Sequence, residues 1–446
     1  MLRLFVRVAR SRRGAVPAAA GKVCCGAARW LPGSGRRLAV AAAVGVVAAV
    51  AAAPSALAGV PGWVIQASAN PPGTSAGELL SVSCPSAADC LAVGYNMTPD
   101  YAYNAFAESW DGATSTWTIV SPVLPPAAAL SMLTGVSCTS AAACTAVGSY
   151  ETSGGVIYPL AELWNGTSWR LQNALSPAGS TYTVLNGVSC TSAVACVAVG
   201  ASKDPATGTL QDLAETWDGR YVGGLGILPH WTIQRTQAAF RKIDYGLNAV
   251  SCASASDCLA VGQYVSHLGS TDSQPTWAEH WNGTSWTGVF PDVASSSYNT
   301  LDSVSCTSAT ACTAVGSYRD SSGITFPLAE RWNGTSWALQ SPAWSAIWAG
   351  ARLGGVSCAS ATACTAVGTI IQAGAPAYPA RTLAESWDGS SWTAASTRDP
   401  ATATQSSLGG VSCPSAAVCT AVGTWDAWTP STSGFYSIYT LAERYS

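Results

Sequence analysis

Fourteen of the sixteen cysteines stand in seven pairs, each with five intervening residues, inside copies of the motif V-S-C-x-S-x-x-x-C-x-A-V-G. In an exported chain, cysteines at a fixed spacing indicate disulfides. A zinc site is disfavoured because none of the three histidines, His230, His267 and His280, stands at a repeated position. We predict no metal, no cofactor and one disulfide per repeat. The predicted pairs are Cys84–Cys90, Cys138–Cys144, Cys190–Cys196, Cys252–Cys258, Cys306–Cys312, Cys358–Cys364 and Cys413–Cys419.

A glutamate recurs in each repeat, within a second motif, L-A-E-x-W-[DN]-G-x-x-W. Catalysis by carboxylates usually needs one unlike pair rather than seven equivalent copies. Period-two spacing places Glu162 on the same strand face as Trp164, and the repeated tryptophans are predicted to be core residues. We predict structural carboxylates that accept hydrogen bonds from neighbouring groups. They are Glu108, Glu162, Glu215, Glu279, Glu330, Glu385 and Glu443.

Acids that occur in single repeats are the candidates for a catalytic role. The chain contains no Walker or H-E-x-x-H motif, and its scattered histidines frame no catalytic triad. A glycosidase or lyase would therefore have to use unrepeated carboxylates. The candidates are Asp100, Asp204, Asp212, Asp272, Asp302 and Asp320.

The segments between the motifs differ from repeat to repeat and are rich in tyrosine and tryptophan. Such rings could stack on sugars or anchor a protein partner, or they could fill gaps between neighbouring sheets. Four tryptophans from the last two repeats form the strongest candidate group. The predicted binding residues are Trp344, Trp348, Trp425, Trp428, Tyr101, Tyr103 and Tyr436.

Each repeat contains four short apolar stretches separated by turn residues. In the second repeat they cover residues 133–138, 144–150, 159–164 and 168–172, and Asn165-Gly166 is a tight-turn signal. Valine, threonine, tryptophan and leucine favour strands, and no segment shows a sustained helical period. The sequence therefore predicts an all-β protein.

The first cysteines of the repeats recur every 52 to 62 residues. A fixed period of this size is typical of solenoids, arrays and propellers, and four strands per unit match a β-propeller. We predict one domain, residues 59–446, that forms a seven-bladed β-propeller with four antiparallel strands per blade. The chain finishes on a third strand, Leu441–Tyr445, and the segment Trp63–Gln66 looks like a fourth. The N-terminal strand is therefore expected to close the last blade, which removes an open sheet edge.

With these motifs, residues 62–446 resemble secreted bacterial seven-bladed propellers of the V-S-C, A-V-G and L-A-E-x-W-N-G repeat type. More distantly, the chain is similar to kelch and galactose-oxidase-type propellers, in which a glycine ends the second strand and a tryptophan marks the fourth. It lacks their regular Gly-Gly pair. It also lacks the D-x-G-x-x-W box of sialidases, because Asp111 directly precedes Gly112. The resemblance implies the fold and a secreted or surface location, and no catalytic residues are carried over.

Propeller geometry separates the loops into two faces. The loops between strands one and two and between strands three and four lie on one face, and here they are short and repetitive. The remaining loops lie on the other face and differ in every repeat. We call this second face the variable face, and a site is expected there because function concentrates on unequal loops of a rigid scaffold.

Residues 1–58 have the composition of a secretory leader. They hold nine basic residues and no acid, and Arg36-Arg37 precede an apolar run at residues 38–53. Ala56-Leu57-Ala58 then offers a small-x-small cleavage site. The apolar run of sixteen residues is short for a membrane span, so membrane attachment is expected only if the leader is retained as an anchor.

Removal of the leader takes away nine of the 21 basic residues and none of the 24 acids, so the mature chain has a net charge of −12. No basic stripe remains, which argues against a nucleic-acid partner. We predict a secreted or surface-exposed monomer that binds carbohydrate or an extracellular protein through the variable face. A propeller glycosidase or lyase and a structural cell-envelope protein are the alternatives.

Overall fold

The computed structural model describes residues 62–71, 73–219, 231–236, 244–265, 273–291, 296, 298–345, 347–373, 379–428 and 436–446. Every regular element in these ranges is a β-strand, which confirms the all-β prediction. The V-S-C half of the first motif lies in the first strand of each repeat. These first strands are β2 (Ala76–Ser83), β6 (Ala128–Ser140), β10 (Thr183–Ser192), β14 (Asp244–Ser254), β18 (Tyr298–Ser308), β22 (Trp348–Ser360) and β26 (Gln405–Ser415).

The A-V-G half of the first motif lies in the second strands, and the L-A-E-x-W motif lies in the third. The second strands are β3 (Asp89–Met97), β7 (Ala143–Thr152), β11 (Ala195–Lys203), β15 (Asp257–Val265), β19 (Ala311–Arg319), β23 (Ala363–Gln372) and β27 (Val418–Trp428). The third strands are β4 (Tyr103–Asp111), β8 (Ile157–Trp164), β12 (Leu210–Trp217), β16 (Thr276–Trp281), β20 (Thr325–Trp332), β24 (Ala380–Trp387) and β28 (Tyr436–Tyr445).

The last tryptophan of the second motif lies in or next to a short fourth strand. The fourth strands are β5 (Thr116–Ile119), β9 (Trp169–Gln172), β13 (Thr232–Gln234), β17 (Trp286–Gly288), β21 (Trp337–Gln340) and β25 (Trp392–Ala395), together with the N-terminal strand β1 (Trp63–Gln66). Five repeats form separate four-stranded antiparallel sheets. The first and last repeats share one eight-stranded sheet, whose two parts meet through a single parallel pair, Ala76 and Ile438.

The N-terminal strand β1 pairs antiparallel with the C-terminal strand β28, so the predicted pairing is confirmed. Trp63 lies opposite Tyr445, and Gln66 lies opposite Ala442. The ring centroids of Trp63 and Tyr445 are 5.8 Å apart. The two motif tryptophans of other repeats make the same contact, as Trp164 and Trp169 do at 5.4 Å. The N-terminal segment therefore takes the position that the fourth strand has in the other sheets.

The first strands contact one another in cyclic order, from β2 through β6, β10, β14, β18, β22 and β26 back to β2. Residues from all of these strands line one narrow cavity of ≈ 200 Å³. Sheets arranged around a common axis with their first strands innermost form a β-propeller. The core lies between neighbouring sheets, where the leucine three residues before each V-S-C motif is almost fully buried.

A hydrogen bond links each V-S-C motif to the next. The serine Oγ of one repeat accepts the backbone N–H of the first cysteine of the following repeat. The donor and acceptor pairs are Cys138–Ser83 (2.9 Å), Cys190–Ser137 (2.9 Å), Cys252–Ser189 (3.0 Å), Cys306–Ser251 (2.9 Å), Cys358–Ser305 (3.0 Å), Cys413–Ser357 (2.9 Å) and Cys84–Ser412 (2.9 Å).

All seven predicted disulfides are present, with Cα atoms 3.9–4.1 Å apart. Each closes the hairpin between the first and second strands. Cys138 and Cys144, for example, lie directly opposite each other in the strand pair. On the chain-entropy model, a loop this short stabilises the fold by about 2 kcal/mol.

The glycine of the A-V-G motif is required by a close backbone approach. The first strand of each sheet has a register shift next to the buried leucine, as between Leu247 and Ala249. A Cβ added at Gly262 would lie 2.0 Å from the carbonyl oxygen of Gly246. The equivalent glycines in the other repeats meet a backbone oxygen at 1.9–2.0 Å. A β-bulge thus presses the first strand against a second strand that can carry no side chain there.

We expect the substitution Gly262→Ala to lower the free energy of unfolding by about 3 kcal/mol, because the added methyl group forces two backbones apart. Gly246→Ala in the same sheet is the matched control, since a Cβ at Gly246 meets nothing within 4 Å. Its effect should stay within about 0.5 kcal/mol. Urea unfolding curves of the two variants test this, and equal midpoints would contradict it.

Candidate functional site

The repeated glutamates lie between neighbouring sheets and are completely buried. Several accept a backbone N–H from the segment that precedes the first strand of their own repeat. The N–H of Val123 donates to Glu162 Oε2 at 2.8 Å, and that of Ala343 donates to Glu385 Oε2 at 2.8 Å. Ala69 makes the same bond to Glu108 Oε1 at 2.9 Å. Such bonds fasten the crossover from one sheet to the next, which is the kind of contact predicted for a structural carboxylate.

Burial raises the pKa of these carboxyls because the charged form loses its hydration. The pKa of Glu108 and Glu215 rises to about 8, and that of Glu162, Glu385 and Glu443 rises to about 7. The backbone hydrogen bonds act in the opposite direction and are outweighed.

A different set of residues lines the central cavity. The residue two positions before each V-S-C motif varies around the axis: Leu80, Thr134, Asn186, Asn248, Asp302, Gly354 and Gly409. Three of these side chains donate to the buried leucine carbonyl of the next sheet. Thr134 Oγ1 donates to Leu185 O at 2.7 Å. Asn186 and Asn248 donate to the equivalent carbonyls at 2.8 and 2.9 Å.

Unlike charges meet near the variable-face end of this cavity. Arg352 on β22 lowers the pKa of both Asp302 on β18 and Glu78 on β2, although burial is the larger effect and raises both pKa values. Glu78 Oε2 accepts a 2.6 Å hydrogen bond from the Tyr95 hydroxyl. The ring of Tyr103, a predicted binding residue, packs edge-on against Tyr95 with centroids 5.2 Å apart. We call Glu78, Tyr95, Asp302 and Arg352 the axial group.

Asp302 and Tyr103 are among the site residues predicted from the sequence, whereas Glu78, Tyr95 and Arg352 are not. A comparison of the repeats with one another contains a signal that points to Glu78 and Arg352. At the position four residues before V-S-C, the repeats carry Glu78, Met132, Val184, Gly246, Thr300, Arg352 and Ser407. An acid and a base at one position of an otherwise apolar or neutral set indicate a local function. The other unrepeated acid that is deeply buried, Asp212, lies beside the repeated Glu279, and burial raises its pKa.

The structure brings together only part of the predicted tryptophan group. Trp344 is 40% exposed and contacts Phe326 at 4.4 Å and Trp348 at 5.8 Å between ring centroids. Tyr318 stacks on the far side of this row, 5.3 Å from Phe326. Trp425 instead stacks on Tyr439 at 4.7 Å and packs against the core of the last sheet.

The remaining predicted aromatic residues are placed separately. Tyr101, 64% exposed, stands at the tip of the turn between β3 and β4, where its N–H donates to Thr98 O. Trp428 and Tyr436 lie opposite each other in the β27–β28 pair, and their side chains fall outside the described part of the chain. Within the described ranges, no group of three or more His, Cys, Asp or Glu residues is placed to hold a metal ion. No helix in those ranges is long and apolar enough to cross a membrane.

No family model matches the chain, and no curated protein matches it significantly. Among solved structures, it is similar to a protein of unknown function from Dyadobacter fermentans, with 9% identity over 86% of this chain and 98% of that chain and a TM-score of 0.48. It is also similar to Trypanosoma rangeli sialidase (10% identity, 83% and 55% covered, TM-score 0.42). A third similarity is to a fucose-specific lectin from Aleuria aurantia (11% identity, 70% and 95% covered, TM-score 0.37). All three TM-scores are below 0.5, so these similarities assign no function to the chain.

We expect the stability of the protein to fall as the pH rises from 5 to 8. A carboxyl whose pKa rises from its ordinary value of 4.5 to about 7 on folding contributes stability that is complete below pH 4.5. That contribution is lost as the pH passes through the folded pKa. Denaturation midpoints measured across this range should therefore decrease.

Glu162→Gln should make this decrease shallower, because an amide cannot ionise. Asp388→Asn is the matched control: Asp388 is exposed, and hydrogen bonds from Ser390 and Ser391 lower its pKa to about 2. It therefore stays ionised throughout the range. An unchanged slope in Glu162→Gln would contradict the assignment.

Proposed function

We propose that the protein is a secreted seven-bladed β-propeller that binds carbohydrate on its variable face. The closed circuit of seven serine–cysteine hydrogen bonds supports seven blades. So does the junction within the eight-stranded sheet, because only the pair Ala76–Ile438 connects its two four-stranded parts. An experimentally determined structure with another number of sheets around the axis would overturn the blade count.

The exposed indole of Trp344 is the observation that carries the proposed binding function. Sugar rings present apolar faces that stack on exposed aromatic rings, and tryptophan offers the largest such surface. Tyr318, Phe326, Trp344 and Trp348 form a row of contacting aromatic rings. Trp344 is the ring of this row that is exposed at the surface. The exposed side chains of Ile324 and Ile347 belong to the same two repeats.

The segment that carries Trp344 is held in place by its own backbone. The N–H of Trp348 donates to Ser345 O at 3.0 Å, and that of Ala373 donates to Ile347 O at 3.0 Å. The ring therefore has its neighbours on two sides before any ligand arrives. A pre-organised aromatic surface loses less conformational entropy on binding, which favours recognition without a large rearrangement.

Export is part of the proposal. Disulfides persist in oxidising compartments, and seven of them support a location outside the cytosol. The proposed leader, residues 1–58, lies outside the described residues. With that leader removed, the acidic chain has no basic stripe for nucleic acid, and we propose that it acts as a monomer with a glycan as its partner.

A glycosidase or lyase is the second candidate, and the axial group favours it. Two unrepeated carboxyls, Glu78 and Asp302, both lie within electrostatic reach of Arg352. The cavity beside them, ≈ 200 Å³, is smaller than the roughly 300–1,000 Å³ of common ligand pockets. This size favours binding of a small group over enclosure of a scissile bond.

Binding of the mature protein to a glycan array should identify a saccharide ligand, and Trp344→Ala should weaken that binding at least tenfold because the stacking surface is lost. Val194→Ala is the control: this side chain is 54% exposed and sits in a cysteine hairpin. The glycan affinity of the Val194→Ala variant should equal that of the parent protein.

The same assay separates the alternatives. Capture of a specific extracellular protein with no glycan signal would replace carbohydrate by protein as the partner. Appearance of shortened saccharide products would identify an enzyme. Glycan binding that survives Trp344→Ala unchanged would overturn the assignment of the binding surface.

A further inference from the structure

We propose a second ligand site at the variable-face end of the central cavity, where Arg352 binds the carboxylate of a small hydroxylated acid, such as a sugar acid. This site uses the axial group rather than the tryptophan row, so it does not depend on the glycan surface proposed above.

The hydrogen-bond donors of the Arg352 guanidinium are available to a ligand. Its side chain is exposed, and it makes no ion pair or hydrogen bond with any residue that the structure describes. A guanidinium carries five N–H donors in a planar fork that matches a carboxylate in a two-point contact. Other arginines, in contrast, contact protein groups. Arg331 Nη1 donates to Ala361 O at 2.8 Å, and its guanidinium lies 5.5 Å from the Trp387 ring centroid.

There is room beside Arg352 because two first strands carry glycine where the others carry side chains. A Cβ at Gly409 would approach no atom closer than 3.7 Å, and one at Gly354 no closer than 3.4 Å. Both are ordinary contact distances. The backbone therefore does not require glycine here, in contrast to the A-V-G glycines. The open space lies on one side of the axis, next to Asp302 and Arg352.

The strands on the Asp302 side of this space hold fixed polar groups. Asn248 Nδ2 donates to Gln263 Oε1 at 2.7 Å. Thr300 Oγ1 lies 3.0 Å from the same Gln263 oxygen and 2.9 Å from Asp302 Oδ1. Asp302 Oδ2 accepts no hydrogen bond from the described residues. An ordered wall with a free carboxyl oxygen is suited to hydroxyl groups, since an alkyl acid would leave these polar atoms without partners.

The charges favour a singly charged ligand. Arg352 supplies one positive charge, and Glu78 and Asp302 stand close by. A dianion such as phosphate would face both carboxyls, and among the described residues only Arg352 is placed to balance it. A monocarboxylate matches the one guanidinium. Burial raises the pKa of both acids, and a protonated acid donates to the ligand instead of repelling it. Binding should therefore strengthen as the pH falls.

Calorimetric titration of the mature protein with glucuronate, galacturonate and gluconate tests the proposal, with glucose and inorganic phosphate as comparison ligands at pH 5 and pH 7.5. We expect saturable binding of at least one sugar acid, tighter at pH 5. Arg352→Gln should weaken it at least tenfold, and Arg352→Lys should restore it in part, because lysine keeps the charge without the fork. Arg170→Gln removes an exposed charge on β9 and should leave affinity unchanged.

Gly409→Asn gives an independent readout. It places in the open space the side chain that Asn186 and Asn248 carry at the same strand position, so the melting temperature should be kept while sugar-acid binding is lost. Binding that is unaffected by both Arg352→Gln and Gly409→Asn would overturn the proposal. So would equal affinity for glucose, or saturable binding of phosphate alone. Trp344→Ala should leave this binding intact, which separates a failure here from a failure of the glycan surface.

Discussion

The fold depends on one hydrogen bond that is repeated around the axis, from the first cysteine N–H of one repeat to the V-S-C serine of the repeat before it. The innermost strand of each sheet has no partner strand on its axial edge, and unpaired backbone groups there would be costly. A serine hydroxyl from the neighbouring sheet satisfies one of them. The bond from Cys84 to Ser412 joins the first repeat to the last, so the circuit has no open end.

This circuit explains why the chemistry of the molecule is confined to few positions. The serine, the cysteines, the buried leucine and the A-V-G glycine all serve contacts that recur in each repeat. Substituting any of them disturbs a junction between strands or sheets. Residues two and four positions before V-S-C differ from repeat to repeat. Those two positions before it stand at the register shift and line the cavity. Asp302 and Arg352 occur at these positions, and the unequal loops supply the remaining variation.

The sequence predicted the parts of the structure that repetition makes visible. The strand order, the disulfides and the pairing of Trp63–Gln66 with the last strand follow from motifs that recur at fixed offsets. The sites are harder to predict because they combine single residues from different repeats. Trp344 and Trp348 are four residues apart, so their contact is local. Trp425 stacks on Tyr439 because β27 and β28 are paired, and no motif encodes that preference. Glu78 and Arg352 come together only through closure of the ring.

The charge of the chain should give the proposed axial site a distinctive salt dependence. With residues 1–58 removed, the net charge of −12 repels any anion at long range. Salt screens charges beyond about 10 Å at 0.1 M, whereas a guanidinium in contact with its ligand is screened far less. Added salt should therefore remove more repulsion than attraction, and the affinity for a sugar acid should hold or rise up to 0.2 M. A steep fall would mean that distant cations, rather than Arg352, hold the ligand, as they do when a basic surface binds a polyanion.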